Sequence, residues 1–496
     1  MKVKPDPSNK DYFMVYNEGD VDAKYLMGWK GQKGSLWMRV EDNLVNRIVL
    51  GLPALAPNQL QQLKLSHMPL LKEYQMIDVA KICERTNSLN ANPMGLGKTL
   101  ETIMFCMQND YRDDVLIVCP HGVAHQWAKE FKHWWPEVSD NIDVFPKKIV
   151  RGRIIILNYE KVHKYFMQLK SFRWKVIVVD EAHRIKNPGA VRTKDIKNLP
   201  AGRRLALTGT PILNKPNDLW SILNWLDWKY AGKSVYSFEH YFCEMEETEH
   251  GFNNKGLTED PAKQAILNKL IDIIGVRNSL SVAAGKTVEV IPLEMGPKQR
   301  KLYYDAKNLA FESLPDTLTI ANGAVLVMRC RQITSNPKLF DPKAGNVKFD
   351  WIKEFMADHP EEKIVVFSAF RETALALQKE LGNVATSYHG KMNGEEKEAS
   401  KMKFIEDPNT RVLIGTIGSL GTGVDGLQHA SRIGIFIDRE WSPEIQRQAE
   451  GRLERLGQDQ AVLIYYLDCI ATIDKHVGRI NLKKSEDVRA ALGDDN

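Results

Sequence analysis

From about residue 70 onward, short continuous runs of β-branched and aliphatic residues alternate with longer amphipathic stretches, and they fall into two groups. Val115 to Val118, Ile154 to Leu157, Val176 to Val179 and Leu205 to Leu207 form the first. Ile364 to Phe367, Val412 to Ile414, Ile433 to Ile437 and Val462 to Tyr465 form the second. An uninterrupted apolar strand has no polar face to show to water, so it belongs in a parallel sheet covered on both sides. The pattern predicts two α/β lobes, and 496 residues leave room for two or three domains.

The remaining segments have a different texture. Residues 1–66 hold two candidate short strands, Tyr12 to Tyr16 and Ser35 to Val40, and read as a small β-containing accessory module. Residues 67–240 form the first lobe and 346–482 the second. Between them, 241–345 reads as a helical insertion and linker, with a polar loop from Glu246 to Asp260; 483–496 is a tail. None of the six cysteines stands at C-x-x-C spacing, which argues against a zinc site or a disulfide framework. His121, His125 and His133 lack a carboxylate or cysteine to complete a metal set. Met1 to Asp6 lacks the apolar core of a signal peptide, and no apolar run approaches the roughly 20 residues that span a bilayer. A protein that is neither secreted nor membrane-bound is expected: cytoplasmic or at the nucleoid in a prokaryotic or viral setting, nuclear in a eukaryotic one. The net charge of +5 is compatible with a polyanionic partner.

Val176 to Val179 ends in Asp180-Glu181-Ala182-His183. Carboxylates at the carboxyl end of a buried strand lie where open α/β sheets bind ligands. One can hold a metal ion through water while its neighbour takes a proton from an attacking water. Upstream, Gly95-Leu96-Gly97-Lys98-Thr99 opens a candidate helix. Its glycines let backbone amides curl around phosphates, Lys98 would reach the β- and γ-phosphates, and Thr99 would hold Mg²⁺. The pattern departs from G-x-x-x-x-G-K-[ST] at its first position, where Asn92 stands. Transition-state charge on the γ-phosphoryl calls for arginines, and Arg452 and Arg455, within Gln448 to Gln458, are the candidates. Spaced by three, they would share one face of a helix, with Glu450 and Glu454 as the alternative partners of Arg452.

Taken in order, these motifs resemble a superfamily 2 helicase-like motor of the Swi/Snf family over roughly residues 68–480. Leu71 to Gln75 resembles an adenine-reading Q motif, with Gln75 as reader, and Met94 to Thr99 resembles motif I, with Asn92-Pro93 in place of an Asp-Glu pair. Val118 to Pro120 with Gln126-Trp127 and Glu130-Phe131 is similar to motif Ia, and Asn158-Tyr159-Glu160 to motif Ib. Asp180 to His183 with Lys186-Asn187 matches motif II and the residues after it, and Leu207 to Ile212 resembles motif III. Arg329, Arg331 to Ile333 and Asn336-Pro337 resemble a helical segment of this family. Phe367-Ser368, Tyr388-His389-Gly390, Gly421 to Asp425 (departing at Leu420), Asp438 with Trp441 and Pro443, and Gln448 to Gln458 resemble the second lobe's motifs.

The resemblance implies two RecA-like parallel-sheet lobes and a DNA-dependent ATPase that uses ATP and Mg²⁺. Lys98, Asp180, Glu181, Arg452 and Arg455 are then catalytic, with Thr99 and Asp180 toward the metal. Gln75, Met94, Gly95, Leu96, Gly97, Lys98, Thr99, Gly423 and Asp425 hold the nucleotide. His183, Thr208, Thr210 and Gln448 couple it to the track. Tyr159, Lys186, Asn187, His389, Gly390 and Thr416 contact DNA. Trp127, Trp134 and Trp135 either stack on bases or pack in the core, the second reading being favoured. The cluster Lys147, Lys148, Arg151 and Arg153 reads as a solvated face. The expected activity is translocation of a monomer on duplex or branched DNA without base readout, in repair, recombination or replication. The alternatives are a strand-separating or branch-migrating helicase on DNA or RNA, and a nucleotide-gated adaptor with little turnover.

Overall fold

A computed structural model of the chain describes residues 2–16, 26–27, 37–52, 71–209, 211, 216–248, 251–278, 285–312, 320–421, 424–455 and 457–492. The chain divides into two compact units, one built on Met1–Ser279 and the other on Leu280–Lys484.

The first unit begins with an antiparallel sheet of β1 (Lys2–Pro5), β2 (Tyr12–Tyr16) and β3 (Trp37–Glu41), in that order. The small β module predicted for the N-terminus is joined to the lobe behind it. Met27, Leu44 and Val45 belong to the same buried cluster as the lobe's own strands. Lys233 bonds Asp11 at 2.7 Å and donates its backbone N–H to Glu41 at 3.2 Å.

Six strands then follow the α/β pattern: β4 (Asn87–Asn90), β5 (Val115–Cys119), β6 (Ile142–Val144), β7 (Ile154–Asn158), β8 (Trp174–Asp180) and β9 (Ala201–Leu207). A hairpin of β10 (Cys243–Thr248) and β11 (Gly251–Leu257) precedes β12 (Gly275–Val276). The main sheet is parallel in the order β12-β4-β9-β8-β5-β7-β6. Alternate residues of one strand enter opposite cores: Leu116, Val118, Ile177 and Val179 on one side, Val115, Ile117, Val176 and Val178 on the other. This is why the runs are uninterrupted. Each such buried side chain contributes about 1.5–3 kcal/mol.

The second unit is a parallel sheet in the order β13-β18-β17-β14-β16-β15. Its strands are β13 (Lys286–Leu293), β14 (Ile364–Ser368), β15 (Ala385–Tyr388), β16 (Val412–Thr416), β17 (Ile433–Phe436) and β18 (Val462–Cys469). Ile364, Val366, Val412 and Ile414 face one core, and Val365, Phe367 and Leu413 the other.

The region read as a helical insertion and linker holds the helices Pro261–Ile274, Pro297–Glu312 and Ile320–Ser335, and also strands that the reading left out. Glu246 to Asp260 lies largely in the β10–β11 hairpin, because a run of polar side chains suits a two-stranded ribbon at the surface as well as a loop. β12 and β13 supply a strand to each main sheet. All six cysteines are buried and free. Among the described residues, no helix is long and apolar enough to cross a membrane.

Candidate nucleotide site and nucleic-acid interface

Three adjacent strands of the first sheet, β4, β9 and β8, end side by side, and each end delivers one part of a site. After β4 the chain turns through Gly95 (φ 83°) and Gly97 (φ 89°) into the helix Lys98–Gln108. Both glycines sit in the left-handed region, where a side chain is strained. At Gly97 a Cβ would also lie 2.4 Å from Gln75 Nε2. The helix N-terminus and the loop amides make this turn an anion cradle. Lys98 Nζ rests on two carbonyls of its own loop, Asn92 O at 2.7 Å and Pro93 O at 3.1 Å.

Gln75, expected to read adenine, is only 3% exposed and braces this loop instead. Its Nε2 donates to Leu96 O at 3.0 Å, and its Oε1 accepts from Lys72 N at 3.1 Å. Tyr74 OH donates to the same Leu96 carbonyl at 2.8 Å. Met94, Gly95 and Thr99 are half-buried along the turn, and Leu96 is buried beneath it.

β8 ends in Asp180, and Glu181 follows with φ 53° and ψ 53°. A left-handed conformation at a non-glycine residue costs on the order of 1–2 kcal/mol and persists only where neighbours impose it. Asp180 Oδ1 accepts from Glu181 N and Oδ2 from Trp127 Nε1, both at 2.9 Å. Burial, and then the Glu181 charge, push the Asp180 carboxyl up to about 6, against the pull of Trp127 and Lys98. His183 Nδ1 lies 3.3 Å from Glu181 Oε2 and 3.4 Å from Thr208 Oγ1. Thr208 follows β9 and ties back to β4 through its N–H on Asn90 O at 3.0 Å. The structure therefore brings Lys98, Asp180, Glu181, His183 and Thr208 to one end of one sheet. Thr210 lies outside the described residues.

A buried polar network that sequence reasoning missed underlies the loop. Glu101, fully buried one turn into the Lys98 helix, accepts from Asn90 Nδ2 at 2.6 Å and from Asn92 Nδ2 at 3.2 Å. Asn92 Nδ2 also reaches Asp78 Oδ2 at 2.7 Å, and Asn278 bonds both Asp78 and Asn92. Burial pushes Glu101 up to about 7, with Asp78 adding to the rise. The signal was present: an acid among apolar helix residues, downstream of asparagines at 90 and 92.

In the second unit, the expected helical face for Arg452 and Arg455 is corrected. The helix Pro443–Glu450 stops before them, and both lie in the turn beyond. Arg452, 6% exposed, donates to Gly421 O at 3.0 Å and Val424 O at 3.2 Å, with Asp425 at 3.5 Å. Arg455 pairs with Asp425. Glu450 and Glu454, the alternative partners, are bridged by Lys286 at 3.1 and 2.7 Å. Asp425 is thus an arginine partner here. Gln448 donates to Glu444 at 3.2 Å, and Gly423 lies outside the described residues.

The proposed DNA contacts separate into two kinds. Tyr159 is 1% exposed, and its hydroxyl points inward to Asp180 O and Glu181 O, so it has no surface to offer a nucleic acid. Lys186 is half-buried and 3.6 Å from Asp218, and Asn187 is exposed, its side chain shaping the loop through Gly189 N. His389 and the exposed Gly390 follow β15, and His389 lines an open groove of about 640 Å³ with Lys391 and Lys403. Thr416 closes β16 and bonds Ser419 at 2.8 Å. Trp127 and Trp135 are buried, and Trp134 donates to Glu130. Arg153 and Arg151 pair with Asp143 and Asp114.

Two parallel-sheet units, the first carrying a phosphate cradle beside paired carboxylates, define a P-loop nucleotide-binding protein. The SNF2-related domain family matches residues 70–339, and the helicase conserved C-terminal domain matches residues 347–457. The chain belongs to the SNF2-related family. It is 24% identical over 465 residues to an uncharacterized ATP-dependent helicase of Mycoplasma pneumoniae, covering 88% of this chain and 44% of that one. It is 26% identical over 462 residues to the human DNA excision repair protein ERCC-6, covering 80% of this chain and 30% of the relative. The chain thus spans less than half the length of either relative. Among solved structures it is similar to the Sulfolobus solfataricus SWI2/SNF2 ATPase core in complex with dsDNA, with TM-score 0.40, 24% identity, and coverage of 87% of this chain and 99% of that one.

Proposed function

We propose that the protein is a DNA-dependent ATPase that converts ATP hydrolysis into translocation on duplex or branched DNA without reading its sequence. The observation that carries this reading is the convergence of three strand ends on one site: the Lys98 cradle, the Asp180–Glu181 turn, and the His183–Thr208 pair. Family membership and a relative named for DNA excision repair support the choice of DNA and of repair, recombination or replication.

In this mechanism Lys98 leaves the carbonyls of Asn92 and Pro93 for the β- and γ-phosphates, an exchange of neutral acceptors for charged ones that favours binding. The donor set suits Mg²⁺, which keeps most of its waters and takes one or two carboxylates. Thr99 and Asp180 are the residues to hold it, and when bound it would offset phosphate charge. Glu181 takes the proton of the attacking water. His183, between Glu181 and Thr208, senses the charge on Glu181 and passes it toward β9 and the loop after it. Arg455 exchanges Asp425 for the transferred phosphoryl, stabilising its charge in the transition state. Lys186, Asn187, His389, Gly390 and Thr416 grip the backbone through phosphate contacts, so affinity falls with salt.

The decisive measurement is ATPase rate with no nucleic acid, duplex, single-stranded or forked DNA, and RNA. Stimulation by duplex with triplex-strand displacement and no unwinding is the expected result. Stimulation by RNA alone would overturn the proposal, and low turnover under every condition would favour a nucleotide-gated adaptor.

A further inference from the structure

We propose that Trp127 and Tyr159 are positioning residues: two buried aromatic donors that hold the Asp180–Glu181 turn from behind, one on its carboxylate and one on its backbone. The proposal rests on the reading that Asp180 and Glu181 organise the metal and the attacking water.

The two donors come from different elements. Trp127 lies on the helix Ala124–Trp134, and Tyr159 opens the helix Tyr159–Lys164 directly after β7. Both rings are packed in the core, yet each polar atom ends on the same turn. Trp127 Nε1 meets Asp180 Oδ2 at 2.9 Å, and Tyr159 OH meets Asp180 O at 2.5 Å and Glu181 O at 3.2 Å. An indole N–H can only donate, so its partner must be an acceptor that stays put. With Glu181 N on Oδ1 at 2.9 Å, both oxygens of Asp180 are anchored, and the plane of the carboxylate is set. Each oxygen keeps a lone pair for the metal's waters. Tyr159 acts on the other half of the turn. Glu181 adopts φ 53°, a conformation that L side chains avoid, and a hydroxyl reaching the carbonyls on both sides of that residue opposes its relaxation. Both rings are buried, so neither can stack on a base from where it lies.

The two donors should therefore fail differently. Trp127→Phe removes the donor to the carboxylate, and loss of such an outer partner lowers metal affinity about 10–100-fold. Calorimetric titration of MgCl₂ into the full chain with a saturating non-hydrolysable ATP analogue should show the weakening, with metal-free analogue affinity unchanged. Tyr159→Phe should lower kcat for duplex-stimulated ATPase about tenfold, leaving KM for ATP within about twofold, by loosening the base and not the binding site. Because Phe leaves space at 127, 3-benzothienylalanine placed there by codon suppression supplies the control: it keeps the bicyclic shape and replaces N–H by sulfur. It should weaken Mg²⁺ binding as Phe does, and parental binding would mean that packing alone mattered and overturn the role of Trp127. Asp180→Asn and Glu181→Gln separate the two levels of the argument. If both hydrolyse ATP normally, the site reading itself fails. If both are inactive while the 127 and 159 variants match the parent, the positioning role alone is wrong.

Discussion

In the first unit Lys98 rests on two neutral carbonyls, Asp180 is lifted toward neutrality by burial and then by Glu181, and Glu181 sits in a conformation its own backbone disfavours. In the second, Arg452 is buried against the carbonyls of Gly421 and Val424, and Arg455 is already paired with Asp425. One site holds a raised carboxyl beside a strained turn; the other holds two arginines, one buried against carbonyls and one paired with Asp425. The difference teaches which half of the chemistry is prepared in advance. On the proposed function, a nucleotide gains by entering the first site, where its phosphates would meet Lys98 and its metal the two acids. The proposed role of Arg455 in hydrolysis requires that its pair with Asp425 break first.

The largest effect expected to sharpen this contrast is at the arginines. Arg455→Ala should lower kcat on the order of 10³-fold, with little change in melting temperature, because Arg455 is the arginine whose partner is a side chain at the surface. Arg452→Ala should lose activity and also about 2–3 kcal/mol of stability, since two buried carbonyls lose charged donors. Rates and thermal melts of the two variants side by side check this; equal destabilisation would erase the distinction. Next in size is Glu181→Gln, expected to reduce kcat about 10²–10³-fold while nucleotide affinity measured by fluorescence stays near parental. Turnover that survives this change would remove Glu181 as the base.

How far the sequence reveals these sites follows from what each depends on. The strands Val115 to Val118 and Val176 to Val179 are legible because their own residues demand burial on both faces. β4 is not, although it leads into the phosphate loop, because Asn87-Ser88-Leu89-Asn90 looks like a turn. Its polar groups are satisfied by other elements: Ser88 by Ile274 O, far along the chain, and Asn90 by Glu101 on the next helix. β12 and β13 escape for the same reason, being specified by the partner strand more than by themselves. Lys98, Asp180 and Glu181 are legible because a short motif carries their geometry. Tyr159 is misread because order along the chain does not say which way a side chain points. The shared helical face of Arg452 and Arg455 fails because the helix ends at Glu450.

Glu101 offers a test of the first unit's readiness through pH. Its folded value of about 7 lies above the ordinary 4.5, because burial disfavours the charged form and Asp78 repels it. For a carboxyl shifted upward, the contribution to stability is whole below about pH 4.5 and is lost as pH rises through about 7. Glu101→Gln cannot ionise. The variant should match the parent at low pH and exceed it above pH 7, by on the order of 3 kcal/mol at most. Denaturant melts of both proteins across this range measure the gap. A gap that does not grow with pH would mean that Asn90 and Asn92 already stabilise the carboxylate, and the first unit would be better matched than the contrast requires.

The smallest effects belong to the track, where each contact is one among several. Lys186→Ala should weaken duplex binding only a few-fold and reduce the slope of log affinity against log salt by about one, the signature of a single phosphate contact. Its pair with Asp218 at 3.6 Å already offsets part of the charge, so Asp218→Asn should shift affinity the other way. These two variants sharpen the comparison at its weakest point. If Lys186 resembles Lys98, a cation resting on a provisional partner, both shifts appear and both fade at high salt. If it resembles Arg452, held for structure, the melting temperature moves and the salt slope does not.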